Sequence, residues 1–457
     1  MEIELTHFID SLSTAVDYVE GEVIRIAPYH GRRVAVLANR MAASEGLSPE
    51  EIYGMTQAAL LHDCAIAEYL KDESKDLKSD FQEDVLGAHC IAGEDMVMAL
   101  PFYADAKDTV LYHHERADGT GAFGKTEAEV PLRAQLVHMA DLADVRFSLY
   151  SMDETKFREL REWVRENRGS LFSDRCAELF ENSIDYQLLE SITGENCKKV
   201  LLELTPEKYV DIPVPLLRKM SLLFARVTDY KSPFTRRHSI GIAEKAREMG
   251  LYEGCSGDEA EELYIAGALH DIGKLLIRND ILEKPGKLTS DEYQVIQNHV
   301  AGTWDLLKDV KGLEQITQWA VRHHEKLDGS GYPLGLKAEE LDRNDRLLAC
   351  LDIYQALVEE RPYKAGLPHD EAIGILRKMG DAGQLDREII DRIDGCFAAE
   401  VRGNNGPERN ETAAGPIGNV SCGWKCPVCG YVFDGEKLPE DFICPNCEQP
   451  GTIFEKI

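Results

Sequence analysis

A duplicated spacing of histidines and aspartates constrains this chain more than any other feature. His30, His62 with Asp63, His89, His113 with His114, and Asp141 recur in order as His238, His270 with Asp271, His299, His323 with His324, and Asp352. The offsets are 208, 208, 210, 210 and 211 residues; in both copies 32 residues separate the first element from the second and 24 the third from the fourth. One such match can arise by chance, but five in order mark an internal repeat. Scattered core or surface histidines would not keep that register.

The segments around these residues carry helical periodicity. DEAEELYIAGALHD has apolar residues at three- and four-residue steps behind Asp258 and Glu261, which are spaced as a capping box. Thr289 and Glu292 repeat the signal before EYQVIQNHVAGTWDLL, and Asp370 is expected to cap EAIGILRKM, which stops at Gly380. Alternating strand patterns are scarce. The expected fold is therefore mainly all-α: two tandem helical bundles, residues 1–200 and 205–400, with ligands projecting inward from several helices. Residues 403–420 read as a flexible linker of Gly, Pro, Asn and Ser, with a reach of roughly 25 Å, ahead of a small module at 421–457.

With 82 acidic against 51 basic side chains the net charge is −31, a field that repels duplex nucleic acid and anionic lipid. An anionic small substrate stays compatible, because bound metal ions can invert the potential of a site. The first thirty residues have neither a basic start nor an apolar core of signal-peptide type, and no stretch is long and apolar enough to insert in a membrane. A cytoplasmic protein is expected, in which the 12 cysteines are thiols or metal ligands rather than disulfides.

Adjacent residues on a helix point about 100° apart, so His323 and His324 serve two neighbouring ions better than one. The same holds for His270 and Asp271, and His238, His299 and Asp352 complete five imidazoles and two carboxylates. That mixture suits iron, manganese or zinc better than calcium or magnesium. A two-metal centre can lower the pKa of a bridging water and clamp attacking and leaving oxygens, as phosphodiester hydrolysis requires. A structural site would need only about four ligands.

HDIGK at 270–274 and HHEKLDGSGYP at 323–333 resemble the paired signatures of the HD-GYP family, over about residues 225 to 385. The resemblance implies an all-helical fold, a di-metal or trinuclear centre commonly of iron, and hydrolysis of cyclic di-GMP to pGpG or GMP. It places His238, His270, Asp271, His299, His323, His324 and Asp352 at metal-ligand positions and Lys274 where a lysine faces the phosphate, one turn after the His-Asp pair. Asp271 and Lys274 are the expected catalytic pair. Gly331 and Tyr332 fall in the substrate loop, and Arg361 and Lys364 fall where basic residues contact the dinucleotide phosphates. Relatives with three metals have a glutamate one turn before the first histidine; Phe234 stands there in this chain, so two metals are expected.

The first copy keeps every ligand type, in His30, His62, Asp63, His89, His113, His114 and Asp141, and a second di-metal centre is expected there. Ile66 replaces Lys274, and Ala122 and Phe123 replace Tyr332 and Pro333. Three readings remain open for it: a redox or oxygen-sensing centre, a hydrolase of another substrate, and a structural relic.

In the tail, Cys426, Cys429, Cys444 and Cys447 form two C-x-x-C knuckles, a four-sulfur site for iron or zinc. WKCPVCGYVF and CPNC resemble rubredoxin-like domains of the rubrerythrin type, which implies one redox-active iron; a zinc ribbon is the alternative. A rubredoxin reductase is then an expected partner, alongside the cyclic dinucleotide. The rival to the hydrolase is an HD-type di-iron oxygenase or redox sensor fed by that tail, although oxygen chemistry has no need of Lys274 or the GYP loop. Whether the chain dimerises is not written in the sequence.

Overall fold

The structure, a computed structural model, describes residues 1–23, 25–66, 83–231, 233–282, 284, 286–360 and 366–403, and in the tail 423–425, 432–434 and 455–456. Arg361, Lys364, the four tail cysteines and residues 404–420 of the expected linker lie outside the described residues; Gly403, its first residue, ends a helix. The chain divides into two compact units, Met1–Phe397 and Ala398–Ile457. In the second, strands Gly423–Lys425, Val432–Asp434 and Glu455–Lys456 form an antiparallel sheet with Gly423–Lys425 in the centre.

The first unit is helical, as the periodicity requires. Each repeat opens with the same short unit: β1 (Glu2–Glu4) leads into α1 (Leu5–Val23), and β2 (Tyr209–Asp211) leads into α6 (Val214–Lys231). Between them lie α2 (His30–Glu45), α3 (Pro49–Leu60), α4 (Glu83–Val97) and α5 (Leu132–Phe147), then shorter helices from Glu154 to Leu204. The second repeat continues with α7 (Pro233–Tyr252), α8 (Gly257–Leu269), α9 (Ser290–Gln297), α10 (His299–Leu307), α11 (Glu314–Val321), α12 (Arg343–Val358), α13 (His369–Asp381) and α14 (Arg387–Gly403).

The two strands were not expected from the sequence, since three residues are too few to show alternation. They pair antiparallel with Glu2 opposite Asp211, Ile3 opposite Val210 and Glu4 opposite Tyr209. Equivalent strands meeting antiparallel is the relation that a two-fold axis creates, so the repeats pack as an intramolecular pseudo-dimer. Glu4 holds the junction: its buried carboxylate accepts N–H bonds from Thr6, His7 and Lys208. Phe8 on α1 meets Phe224 on α6 edge to face at 5.5 Å, and one apolar core runs continuously from Ile3 to Phe397.

Two helix starts differ from expectation. α8 is capped by Ser256, whose hydroxyl accepts from Glu259 N–H while Glu259 returns the bond; Asp258 sits in the first turn, where the helix dipole favours an acid. α13 starts at His369, held by the Tyr354 hydroxyl and Asp394, so Asp370 is a first-turn residue and not the cap. That helix runs one residue past Gly380, and Gly383, at φ +77°, supplies the left-handed reversal. The box at Thr289 and Glu292 forms as expected. No helix among the described residues is long and apolar enough to cross a membrane.

Candidate metal centres

His270 ends α8, and Asp271 precedes a 3₁₀ turn, Ile272–Leu276, rather than a further α-turn. At three residues per turn, Lys274 stacks over Asp271, and its Nζ donates to Asp271 Oδ2 at 2.5 Å. Gly273 lets this turn lie against α10, since a Cβ there would collide with the His299 carbonyl and the Thr303 backbone. Thr303 locks the contact by donating to His270 O and accepting from Gly273 N–H, both at 3.0 Å.

The rings are oriented by one device. Nδ1 of His270, His299 and His323 pairs with the carbonyl three residues earlier, Gly267, Ile296 and Ala320, at 2.6 to 2.7 Å. His62 and His113 do the same with Ala59 and Val110. A carbonyl only accepts, so Nδ1 carries the proton and Nε2 presents a lone pair to the centre, the tautomer a metal ligand needs. His238 Nδ1 is held instead by Glu359 at 3.1 Å, and His30 Nδ1 by Asp144 at 2.7 Å. Neither carboxylate was singled out in the sequence, where both resemble surface acids.

In the second repeat the seven residues converge. His299 Nε2 lies 3.4 Å from His323 Nε2 and 3.3 Å from Asp271 Oδ1; His238 Nε2 lies 2.9 Å from Asp352 Oδ1; His324 Nδ1 lies 3.3 Å from Asp352 Oδ2. Two nitrogens at metal–ligand distances of about 2.1 Å on a tetrahedral ion stand roughly 3.4 Å apart. His270 Nε2 and Asp271 Oδ1 are buried without a hydrogen-bond partner, as are His30 Nε2, His62 Nε2, Asp63 Oδ1 and His114 Nε2 in the first repeat. Buried lone pairs left unmade are costly, and a cation satisfies them, so both donor sets fit divalent metal.

The electrostatics agree with this fit. Burial, with His324 and His270 alongside, holds His323 well below the usual imidazole range, and burial draws His299 to about 4, so both rings are neutral and able to ligate. Burial by itself would raise Asp271, but His270 and Lys274 keep it well below the carboxylate range. His238 is the exception: burial opposes its charge, yet Asp352 and Glu359 raise it to about 9.

The loop after each His-His pair has one architecture. Glu325 is buried and its carboxylate accepts from Leu334 N–H at 2.7 Å and Leu336 N–H at 2.9 Å; Glu115 accepts likewise from Phe123 and Lys125. Gly331 and Gly121 cross over the chain at the His-His-Glu segment, where a Cβ would meet backbone. The Tyr332 ring lies 4.7 Å from the His324 ring, at the rim of the centre. Glu115 and Glu325 escaped the sequence reading, although HHE in both copies was the signal.

In the first repeat the expected seven also converge: His89 Nε2 is 3.4 Å from His113 Nε2, both are 3.3 Å from Asp63 Oδ1, and Asp141 Oδ1 is 3.3 Å from His30 Nε2 and 3.8 Å from His62 Nε2. Asp141 Oδ2 is 4.0 Å from His114 Nδ1. This centre is the more enclosed, with the His114 side chain 12% exposed against 24% for His324. Ile66, at Lys274's place, is buried. Two unexpected acids on α1 border the centre: Asp17 accepts from Gly31 N–H, and both oxygens of buried Glu20 lack a hydrogen-bond partner. Burial and the charge of Asp63 push Glu20 well above the carboxylate range.

Helices that deliver paired imidazoles and aspartates to one buried point, twice, define a metal-binding HD fold. The chain belongs to the HD domain family, whose model matches residues 25–147 and 222–389, and residues 424–455 match the rubrerythrin, rubredoxin-like domain. It is 32% identical to 3'3'-cGAMP-specific phosphodiesterase 1 of Vibrio cholerae over 379 residues, 80% of this chain and 86% of the relative. A probable cyclic di-GMP phosphodiesterase of the same organism is 43% identical over 183 residues, 36% of this chain and 41% of that protein. The crystal structure of a cyclic GMP-AMP specific phosphodiesterase from V. cholerae superposes with TM-score 0.62 at 23% identity, covering 87% of this chain and 98% of that one, which shows a shared fold.

Proposed function

We propose that the protein is a metal-dependent phosphodiesterase that hydrolyses a cyclic dinucleotide at the second repeat. The observation that carries this reading is Lys274 over Asp271, beside seven convergent ligand groups of which His324 meets the Tyr332 ring; the first repeat has the ligand groups without the lysine. His238, His270, Asp271, His299, His323, His324 and Asp352 would hold a pair of ions, iron or manganese, and the first repeat's seven a second pair. When bound, such ions supply hydroxide at neutral pH and positive charge to the phosphoryl oxygens. Asp271 and Lys274 then have separable tasks: the carboxylate fixes the ligand geometry, and the ammonium, 22% exposed, faces the phosphate and stabilises charge in the transition state. Tyr332 and Gly331 shape the wall for the base, and Arg361 and Lys364 grip the phosphates.

We assign the hydrolytic domain to residues 205–400, the degenerate HD domain to 1–200, and a redox-active iron to the cysteines of 421–457, reached through the 403–420 linker. Cyclic di-GMP is the first substrate reading. 3'3'-cGAMP is the second, favoured because the relative aligned along 80% of this chain carries that name. Protein loaded anaerobically with ferrous iron or manganese, given each dinucleotide in turn with products separated by chromatography, tests both. Release of linear dinucleotide or mononucleotide is expected, and failure on both substrates by metal-replete protein overturns the assignment.

A further inference from the structure

The first repeat differs from the second by more than its lost lysine. Cys90 follows His89 on α4, where Val300 follows His299 on α10. The structure supports that register, because Gly93 lies against the His62 carbonyl as Thr303 lies against that of His270, and Gly93 and Thr303 are 210 residues apart, as Cys90 and Val300 are.

Cys90 is fully buried, and its sulfur lies 3.7 Å from the metal-facing His89 Nε2; it also lies 3.6 Å from His113 Nδ1, the nitrogen hydrogen-bonded to the Val110 carbonyl, so the His89 separation is the one that bears on a shared ion. Sulfur and nitrogen on one tetrahedral ion, with bonds of about 2.3 and 2.1 Å, stand roughly 3.6 Å apart. Ligand atoms of His89, Cys90, His113 and His114 all lie within 4.8 Å of one another, and His114 Nε2 is buried without a hydrogen-bond partner. A buried cysteine packed only as a small hydrophobe has no need of three imidazoles around it, and the second repeat fills the same position with a valine.

We propose that Cys90 is a metal ligand, so that one ion of the first repeat's pair is held by imidazole and thiolate together, a set that the second repeat cannot form. This rests on the reading that the first repeat binds metal. On binding, the thiol loses its proton to solvent and a sulfur–metal bond forms, with no change of oxidation state. A soft thiolate selects zinc or iron over manganese or magnesium, so the first repeat disfavours the manganese that the second can hold.

The test uses the full chain, stripped of metal and reloaded with cadmium-113, whose NMR resonance position reports how many sulfurs surround it. Wild type is expected to show three classes: the four-sulfur tail, nitrogen and oxygen sites, and a one-sulfur site between them. Cys90→Val installs the second repeat's own residue, and circular dichroism checks that the fold is kept. It should move the one-sulfur resonance into the nitrogen and oxygen class and leave the tail signal in place. The same pair loaded with cobalt should differ by one thiolate-to-cobalt charge-transfer contribution. A resonance that responds to Asp63→Ala but not to Cys90→Val overturns the thiolate ligand alone. Absence of any resonance sensitive to Asp63→Ala overturns metal binding in the first repeat, and the thiolate with it.

Discussion

Replacing Lys274 with methionine separates phosphate chemistry from metal binding. The substitution keeps the aliphatic stem and removes the ammonium, whose Nζ is 2.5 Å from Asp271 Oδ2. Loss of one pre-oriented donor at a site of developing charge costs about 10² to 10³ in turnover, roughly 3 to 4 kcal/mol. Lys274 is 22% exposed, so solvent screens part of its field and the expected loss lies near the lower end, about 10² in kcat. Asp271 keeps its buried place against His270 and His299, so metal content should stay at the wild-type level. Single-turnover rates with the cyclic dinucleotide, together with elemental analysis of the same samples, read both quantities. A kcat within about threefold of wild type refutes the role. Parallel loss of metal and rate refutes it differently, by showing that the lysine serves to hold Asp271.

Asp271→Ala should abolish metal-dependent turnover while Asp63→Ala leaves most of it; the reverse pattern in folded variants would move the hydrolytic site to the first repeat. Glu4, drawn down to about 2 by its hydrogen bonds against the opposing effect of burial, stabilises the junction between repeats by about 2 to 3 kcal/mol at neutral pH, the full displacement being worth roughly 3.4 kcal/mol before solvent screening reduces it. That contribution is complete above the unfolded pKa near 4.5 and is lost as pH falls towards 2, so the gap between wild type and Glu4→Gln in urea melts should close on acidification; a gap constant down to pH 3 contradicts it. If the tail returns electrons to centres that air has oxidised to ferric iron, air-oxidised full-length protein should regain phosphodiesterase activity with a rubredoxin reductase and its reductant, and a chain ending near Arg402 should not; equal recovery, or a tail holding zinc, excludes it.

Much of the site was legible because metal ligands must be specific residue types at positions fixed by helix geometry. The register of His30 through Asp141 against His238 through Asp352 survives insertions of one or two residues in loops, and the structure brings both sets together. What escaped lacked a periodic or compositional mark. β1 and β2 are three residues each, and their pairing is set by the pseudo-two-fold axis, which no local pattern contains. Glu115, Glu325 and Asp144 act from buried positions, and Glu359 from a partly buried one, yet all sit among acids that sequence alone assigns to the surface. Cys90 carries no cysteine-pairing signal in the sequence, since its neighbours in the fold are histidines. Lys274 was placed one α-turn beyond the His-Asp pair; the 3₁₀ turn puts it over Asp271 instead, a tightening made possible by Gly273 against α10.

The division of labour between the repeats follows from where each kind of residue sits. Ligands lie at buried helix ends and are held by backbone carbonyls, so a change in a loop does not disturb them. On the proposed reading, substrate groups would lie on the 3₁₀ turn and the loop after the His-His pair, where they can be lost without opening the core. Ile66, Ala122 and Phe123 have taken that route, while the Glu115 clamp still holds the emptied loop in shape. A duplicated fold can therefore keep two metal centres and devote only one to hydrolysis. The helix α1 joins them physically: Asp17 accepts from Gly31 beside His30, and Ser11 donates to Leu306 O on the helix that starts with His299. A change in the first centre that shifted α1 would thus reach the second through packed contacts, without any contribution from the tail.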